Sequence, residues 1–581
     1  MAVVDKELRR PDPEVAAEAL EPEAGLLADA DPAGFADALG ELGSALVRDP
    51  VAYSSAALRL GTDLAMAGAS VALRSVGLPA PPRLAPERRD RRFKDPAWSR
   101  QPGWFALQQA YLLWSRSALE LVEAAKLDGP ERMKAEFAVR AIVDALSPTN
   151  YLAGNPTALR RAFETGGLSV LAGLRNMAGD VVSNGGRPRK VDMSAFTVGE
   201  NLAATPGKVV YRNELMELIQ YAPRTDTTYE TPLLLSPPWI NKYYVMDLAP
   251  GRSFAEWAIE HGHTVFAISY RNPDASLRDT ALDDYLLHGP HTAIDVIGEI
   301  TGAPQVNIAA LCLGGTLTTM LLAHLAHEKD DRVRSATLLN TLIDFSEPGM
   351  LGSFTDARSV RRLARRMAET GVLEGTDMAL TFDLLRANDL IWSFVSSSWL
   401  MGEQPPAFDI LAWNADATRM PAAMHAFYLR HCYGENELAR GEMEVAGTPL
   451  HLEEIGAEIY LLAAEEDHIV PWTSAYKATQ LFTGPVRFVL SSSGHVAGIV
   501  NPPNPKARHW TNDATPADPQ EWRTAATEHA GSWWHDWADW MAERAASRLA
   551  WGATPIRRWP TRPAPMCSSR ERELDGAGTL S

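Results

Sequence analysis

Three side chains that lie far apart in the chain have the types and settings that acyl transfer requires. The stretch "NIAALCLGGTLTTML", which begins at Asn307, runs through an apolar strand-like segment to Cys312 and then through Gly314 and Gly315 into a helical pattern. A nucleophile between strand and helix is lifted off the backbone by a tight turn, and the helix aims its first N–H groups at developing negative charge. Small neighbours are needed there because strand and helix crowd each other. Ala310 stands where the G-x-S-x-G form of this box has glycine, adding one methyl at the tightest place. The box alone leaves Cys312 open to a second reading as a packed core thiol. Two partners follow in the order nucleophile, acid, histidine. "LLAAEEDHIVPW" puts Asp467 just beyond a strand pattern, and "VLSSSGHVAGIVNPP" puts His495 in the loop after the next one. His495 is the expected general base, and Asp467 either orients it or caps its own turn.

Acyl transfer also needs donors for a tetrahedral oxyanion, oriented before the reaction begins. In an α/β-hydrolase one N–H comes from the residue after the nucleophile, here Leu313, and the other from the loop after an early strand. That loop reads "SPPWINKYYVMD"; residues 239–241, with Ile240 at their centre, are the expected donor region, and a rigid turn is the alternative. Asp274, after "YRNP", is a candidate for shaping the active-site floor, against a turn or ion-pair role. His468 has a weaker claim, since a neighbour of Asp467 in sequence need not face the same pocket. Asp283 and Asp284 open a helical pattern, where charge at a helix N-terminus is the default role.

The elements that must position these groups begin near Tyr229. "TPLLLS", "HTVFAISY", "QVNIAALCL" and "VRSATLLNTLIDF" read as strands separated by helical patterns, which argues for a mostly parallel sheet covered on both faces. The alternation then stops for roughly a hundred residues before "GAEIYLLAAEEDHIVPW". That is far longer than an ordinary connection and reads as an inserted cap over residues 348–448. The expected fold is therefore α/β, an α/β-hydrolase with a cap and a mainly helical N-terminal domain. Its parts are a weakly organised segment 1–92, helices over 93–200, a catalytic domain over 201–550 and a surface tail over 551–581. In "HAGSWWHDWADWMAERAA", Trp533, Trp534, Trp537 and Trp540 fall at helical spacing, as a packed face or an exposed docking stripe.

Composition limits the partners. The 581 residues carry 55 Lys plus Arg against 73 Asp plus Glu, a formal charge of −18, which argues against nucleic acid as a partner. Three widely spaced cysteines suggest neither a disulfide framework nor a clustered metal site, and a reducing cytoplasm is the expected compartment. No secretory signal and no apolar run long enough to span a membrane is expected.

Several long strings make the chain resemble the bacterial polyhydroxyalkanoate synthases, especially the single-subunit class that prefers short-chain 3-hydroxyacyl-CoA. The likeness runs from about residue 95 to residue 540, through "TPGKVVYRNELMELIQYAP", "PPWINKYYVMDL", "YRNPDAS", "CLGGT", "LLNTLIDFS", "ANDLIW", "FDILAWNADATRMP", "DHIVPW" and "GHVAGIVNPP". The resemblance implies Cys312 as the acyl-bearing nucleophile, His495 as base, Asp467 as third member and Asp274 as a polar residue near the active region. The departure is Ala310, where the family usually has glycine. The implied substrate is an (R)-3-hydroxyacyl-CoA, probed most simply as the 3-hydroxybutyryl thioester, together with the growing polyester chain. Coenzyme A enters on the substrate and leaves as product, with no metal or redox cofactor. The cap would shield the thioester, with Asn388, Trp392 and Trp413 as candidate lining. A homodimer at the surface of cytoplasmic polyester granules, with granule-associated proteins as further partners, is also implied. The competing readings are a cysteine-dependent thioesterase or depolymerase, and a catalytically quiet scaffold.

Overall fold

The computed structural model describes residues 34–87 and 90–550. The expected surface tail over 551–581 lies outside the described residues, as do residues 1–33.

The N-terminal layer is helical from Phe35 onward: α1 (Phe35–Arg48), α2 (Pro50–Ser75), α3 (Pro102–Ala124), α4 (Gly129–Ala145), α5 (Pro156–Glu164) and α6 (Leu168–Ser183). The first two occupy a stretch expected to be weakly organised. Local chemistry explains their start: Asp49 caps α2 by accepting the Ala52 N–H at 3.1 Å, and Pro50 stands at the first helical position. Alanine-rich composition offsets the glycines that interrupt the sequence pattern. By length and composition alone α2 could cross a membrane, a test that core helices of soluble proteins and N-terminal signal sequences also pass. Its Asp63, however, is tied to Arg83 at 2.6 Å and to Arg116 on α3, contacts that seat α2 on the helical layer. Phe93, Trp98, Tyr111, Val122, Val139 and Val143 fill the core beneath.

The main sheet has ten strands: β1 (Gly207–Arg212), β2 (Met216–Tyr221), β3 (Leu233–Ser236), β4 (Val265–Tyr270), β5 (Val306–Leu311), β6 (Val333–Leu339), β7 (Glu458–Ala464), β8 (Val486–Ser491), β9 (Arg508–Thr511) and β10 (Thr527–Ala530). Their spatial order is β1-β2-β4-β3-β5-β6-β7-β8-β9-β10. The strands from β4 to β8 pair in parallel, and antiparallel strands finish both edges. Every residue of β3 and β5 is buried, as expected of parallel strands covered on both faces. The turns that follow β3, β5, β7 and β8 leave the sheet at one end, where open α/β sheets build their sites.

The cap lies between β6 and β7, where the alternation lapses. Helix α7 (Ala357–Thr370) and the π-helical stretches Asn388–Trp392, Val395–Leu400 and Tyr428–Gly434 belong to it. The N-terminal layer grips it at several points. Lys134 pairs with Asp356 at 2.5 Å, Asp144 accepts from Asn388 Nδ2 at 2.6 Å, and Asp180 accepts from Trp399 Nε1 at 2.8 Å. Asn388, a candidate for lining the active site, is thus a link between layer and cap.

The tryptophan-rich helix α8 (Trp533–Ala542) buries all four indoles, so its periodicity is that of a packed face. Trp533 and Trp534 donate through Nε1 to the carbonyls of Gly498 and Ile499, at 2.8 and 2.9 Å. Those carbonyls belong to the loop that carries His495.

Candidate active site

Cys312 stands between the end of β5 and the start of the helix α(C), Leu313–Glu328, with φ 52° and ψ −117°. Such a conformation is rare outside glycine and costs of order 1–3 kcal/mol. It is held because the Cys312 N–H donates to the Leu339 carbonyl at 2.8 Å and the Cys312 carbonyl accepts from Gly315 and Thr316. A Cβ on Gly314 would run into the carbonyls of Ser236 and Pro237, and one on Gly315 into the Thr341 side chain. Gly314→Ala therefore opposes backbone on both counts and is expected to destabilise the fold by about 3 kcal/mol or more, against about 1–3 kcal/mol for Gly315→Ala, where a side chain can yield. Urea unfolding of the two variants checks that order.

Ala310 resolves simply. It pairs with Ser236 on β3 and Leu338 on β6 in regular strand register, fully buried, and is not among the residues of positive φ. Glycine's freedom is not required there, and the extra methyl belongs to the core between the sheet and the nucleophile helix.

Asp467 and His495 meet as the sequence order anticipated. His495 Nδ1 lies 2.6 Å from Asp467 Oδ2, and the Asp467 side chain is fully buried. Asp467 Oδ1 meanwhile accepts the N–H groups of Ile469 and Val470 at 2.8 and 2.9 Å. One carboxylate oxygen thus faces the imidazole and the other caps the turn. Burial works against charge on the imidazole, but the Asp467 carboxylate and the neighbouring Cys312 sulfur together hold its pKa well above the ordinary histidine range. With Nδ1 taken by Asp467, Nε2 is the nitrogen left for Cys312.

Asn340 is a supporting residue that residue types alone did not reveal. It follows β6 with φ 44° and donates from Nδ2 to the His495 carbonyl at 2.6 Å. A sequence signal existed, an asparagine at a strand end, where its side chain tolerates the left-handed region.

The loop after β3 is held from the cap side. Thr418 Oγ1 donates to the Ile240 carbonyl at 2.5 Å, Asn241 bridges to Ala417, and Trp413 Nε1 donates to the Lys242 carbonyl at 2.8 Å. Among the described residues no hydrogen-bond acceptor takes the N–H of Leu313 or of Ile240. Trp413 thus positions the loop. Trp392 is half-buried on the stretch that Asn388 ties to Asp144.

For Asp274 the contacts are those of the turn and ion-pair reading. Its side chain is exposed, caps the turn Ala275–Leu277 through the Ser276 N–H, and pairs with Arg271 at 2.8 Å. Hydrogen bonds from Ser276 and the Arg271 charge hold its pKa down at about 2. These are the contacts of a turn cap, not of an active-site floor. His468 lines a cleft of about 550 Å³ with Arg386, Glu465, Glu466 and Asp467. Burial, with the Arg386 charge, pushes its pKa down to about 4.

The core against which Cys312 packs includes aromatic residues of the cap and of the neighbouring loops. Tyr428 packs edge-on to Trp239 and Tyr433, with ring centroids 6.0 and 5.5 Å away, and Tyr433 packs on Phe345 at 4.9 Å. Burial drives both phenol pKa values up.

The strand order, the cysteine elbow and the intervening cap define an α/β-hydrolase-fold protein with cysteine in the nucleophile position. Residues 89–258 match the family described as poly-beta-hydroxybutyrate polymerase (PhaC) N-terminus, and residues 239–502 match the alpha/beta hydrolase fold. The chain is 44% identical over 508 residues to a poly(3-hydroxyalkanoate) polymerase of Methylorubrum extorquens, covering 87% of this chain and 84% of that one. It is 44% identical over 468 residues to the poly(3-hydroxyalkanoate) polymerase subunit PhaC of Cupriavidus necator, covering 79% of each. The chain belongs to the poly(3-hydroxyalkanoate) polymerase family.

Proposed function

We propose that this acyltransferase polymerises (R)-3-hydroxyacyl-CoA into polyester and releases coenzyme A through an acyl-enzyme on Cys312. The observation that carries the reading is the strained cysteine elbow beside the 2.6 Å His495–Asp467 pair, in a chain of the polymerase family. His495 takes the proton of the Cys312 thiol, the thiolate attacks the thioester carbonyl, the N–H groups of Leu313 and Ile240 receive the oxyanion, and coenzyme A leaves as its thiol with the proton that His495 returns. His495 then takes the proton of a 3-hydroxyl, the resulting alkoxide attacks an acyl thioester, and the displaced thiolate takes that proton back as the chain lengthens by one unit. Asp467 keeps the imidazole in the orientation that leaves Nε2 for both proton transfers. A thiol suits this relay because exchange between thioesters is nearly balanced, whereas an oxyester on serine would hold the acyl group more tightly. Neither step changes oxidation state, and coenzyme A is substrate and product.

In this reading residues 201–550 form the catalytic domain, and the cap over 348–448 keeps water from the acyl-enzyme. The aromatic cluster of buried Tyr428 and Trp239 with half-buried Tyr433 supports that role. The helical layer over 93–200 serves a homodimer at the surface of cytoplasmic polyester granules, with granule-associated proteins as partners; family resemblance supports this part.

Incubation of the purified protein with (R)-3-hydroxybutyryl-CoA tests the function. Release of coenzyme A with organic-soluble polymer is expected. Release accompanied only by monomeric acid would make the chain a thioesterase, and no release by the folded protein would make it a scaffold.

A further inference from the structure

The helix that begins at Cys312 ends at a second group of chemistry-bearing side chains. His324 and Glu328 lie one turn apart near its C-terminus, and His291 meets them from just before the helix Thr292–Thr301. One ligand atom from each lies within 4.8 Å of the other two. We propose that His291, His324 and Glu328 form a binding site for a divalent transition-metal ion, with zinc the ion that two imidazoles and a carboxylate suit best.

Four observations carry this assignment. First, the His324 side chain is 5% exposed, and its Nδ1 has no hydrogen-bond partner. Its Nε2 stands 3.7 Å from Glu328 Oε2, too far for a hydrogen bond. A buried imidazole this poorly satisfied within the protein calls for a ligand. Second, the His291 and His324 rings are 6.0 Å apart between centroids and 80° apart in plane. Two imidazoles sharing an ion through nitrogens ~2.1 Å from it place their centroids at about that separation. Third, His291 Nδ1 faces Asp295 Oδ2 at 3.4 Å, so a carboxylate stands behind the imidazole and leaves Nε2 for the ion. Asp295 is itself paired with Arg332, which fits a supporting role. Fourth, the C-terminal carbonyls of the helix favour a cation. Glu328 is half exposed and can swing inward to close the site.

The cluster of His431, Glu435 and Glu437 offers a contrast. There His431 Nδ1 already bonds Glu437 Oε2 at 2.9 Å, so the group is satisfied without an ion. A filled site at His291, His324 and Glu328 would staple two helices together and brace the far end of the helix whose first turn carries Cys312.

The test is equilibrium dialysis of the chelator-stripped full-length protein against zinc. To remove the competing thiol of the triad, the Cys312→Ala protein serves as the reference. It is expected to bind one zinc per chain, and His291→Gln or Glu328→Gln in that background should lower the affinity at least ~10-fold, while Glu437→Gln leaves it unchanged. Zinc should also raise the unfolding midpoint of the reference and not that of the His291→Gln variant, a reading that separates lost binding from a damaged fold. No bound zinc in the reference, or binding unaltered by His291→Gln and Glu328→Gln, would overturn the assignment.

Discussion

Cys312→Ala is expected to abolish polymer formation and to lower coenzyme A release by about 10⁴-fold or more, while leaving the fold intact. The magnitude follows from losing the group that becomes covalently bound, after which only the oxyanion donors and substrate binding remain. The fold survives because the substitution removes one sulfur from a half-buried position and leaves in place the backbone hydrogen bonds to the Leu339 carbonyl and from the Gly315 and Thr316 N–H groups. Alanine does not relieve the φ of 52°, since the strain comes from any Cβ. Cys312→Gly does, and it should be more stable than Cys312→Ala by about 1 kcal/mol, the strain relief less the entropy that glycine loses on folding. Coenzyme A release and urea unfolding of both variants provide the measurements. Polymer accumulating in the alanine variant would remove Cys312 from the chemistry.

Asp467→Asn should cost about 10³–10⁴-fold in coenzyme A release, by leaving His495 facing an amide that can present a donor where the carboxylate only accepts. It should also change how stability depends on pH. The folded-state pKa of His495 lies above its unfolded value, so this group's contribution is fully present below the ordinary imidazole range and is lost as pH rises through the raised value. Without the carboxylate that contribution shrinks. The stability gap between the parent protein and Asp467→Asn is therefore expected to be widest near pH 6 and to narrow toward alkaline pH, as read by urea unfolding across that range. A gap that widened with pH would mean that His495 is not held charged by Asp467.

Much of the site was legible because its signals are local. The cysteine box, the aspartate after β7 and the histidine after β8 are short strings beside strand patterns, and their chain order is that of the fold. The cap was legible as a lapse in alternation. Other features depend on neighbours remote in sequence. Asp274 beside a strand was open to an active-site or a turn and ion-pair reading, and its Ser276 and Arg271 contacts are those of a turn cap. Asn340 and the Tyr428–Tyr433 pair gain meaning from His495 and Cys312, which lie elsewhere in the chain. The Trp533–Ala542 periodicity was equally compatible with a docking stripe or a packed face; burial against the sheet decides it.

By itself the sequence determined which residue types do the chemistry, their order and the sheet that carries them, because motif spacing and hydrophobic period are properties of contiguous residues. Only the tertiary structure decided how Ala310 fits, that Cys312 is held at positive φ, and which carboxylates turn toward the histidine. Those outcomes depend on the space and hydrogen-bond partners supplied by strands and loops distant in the chain.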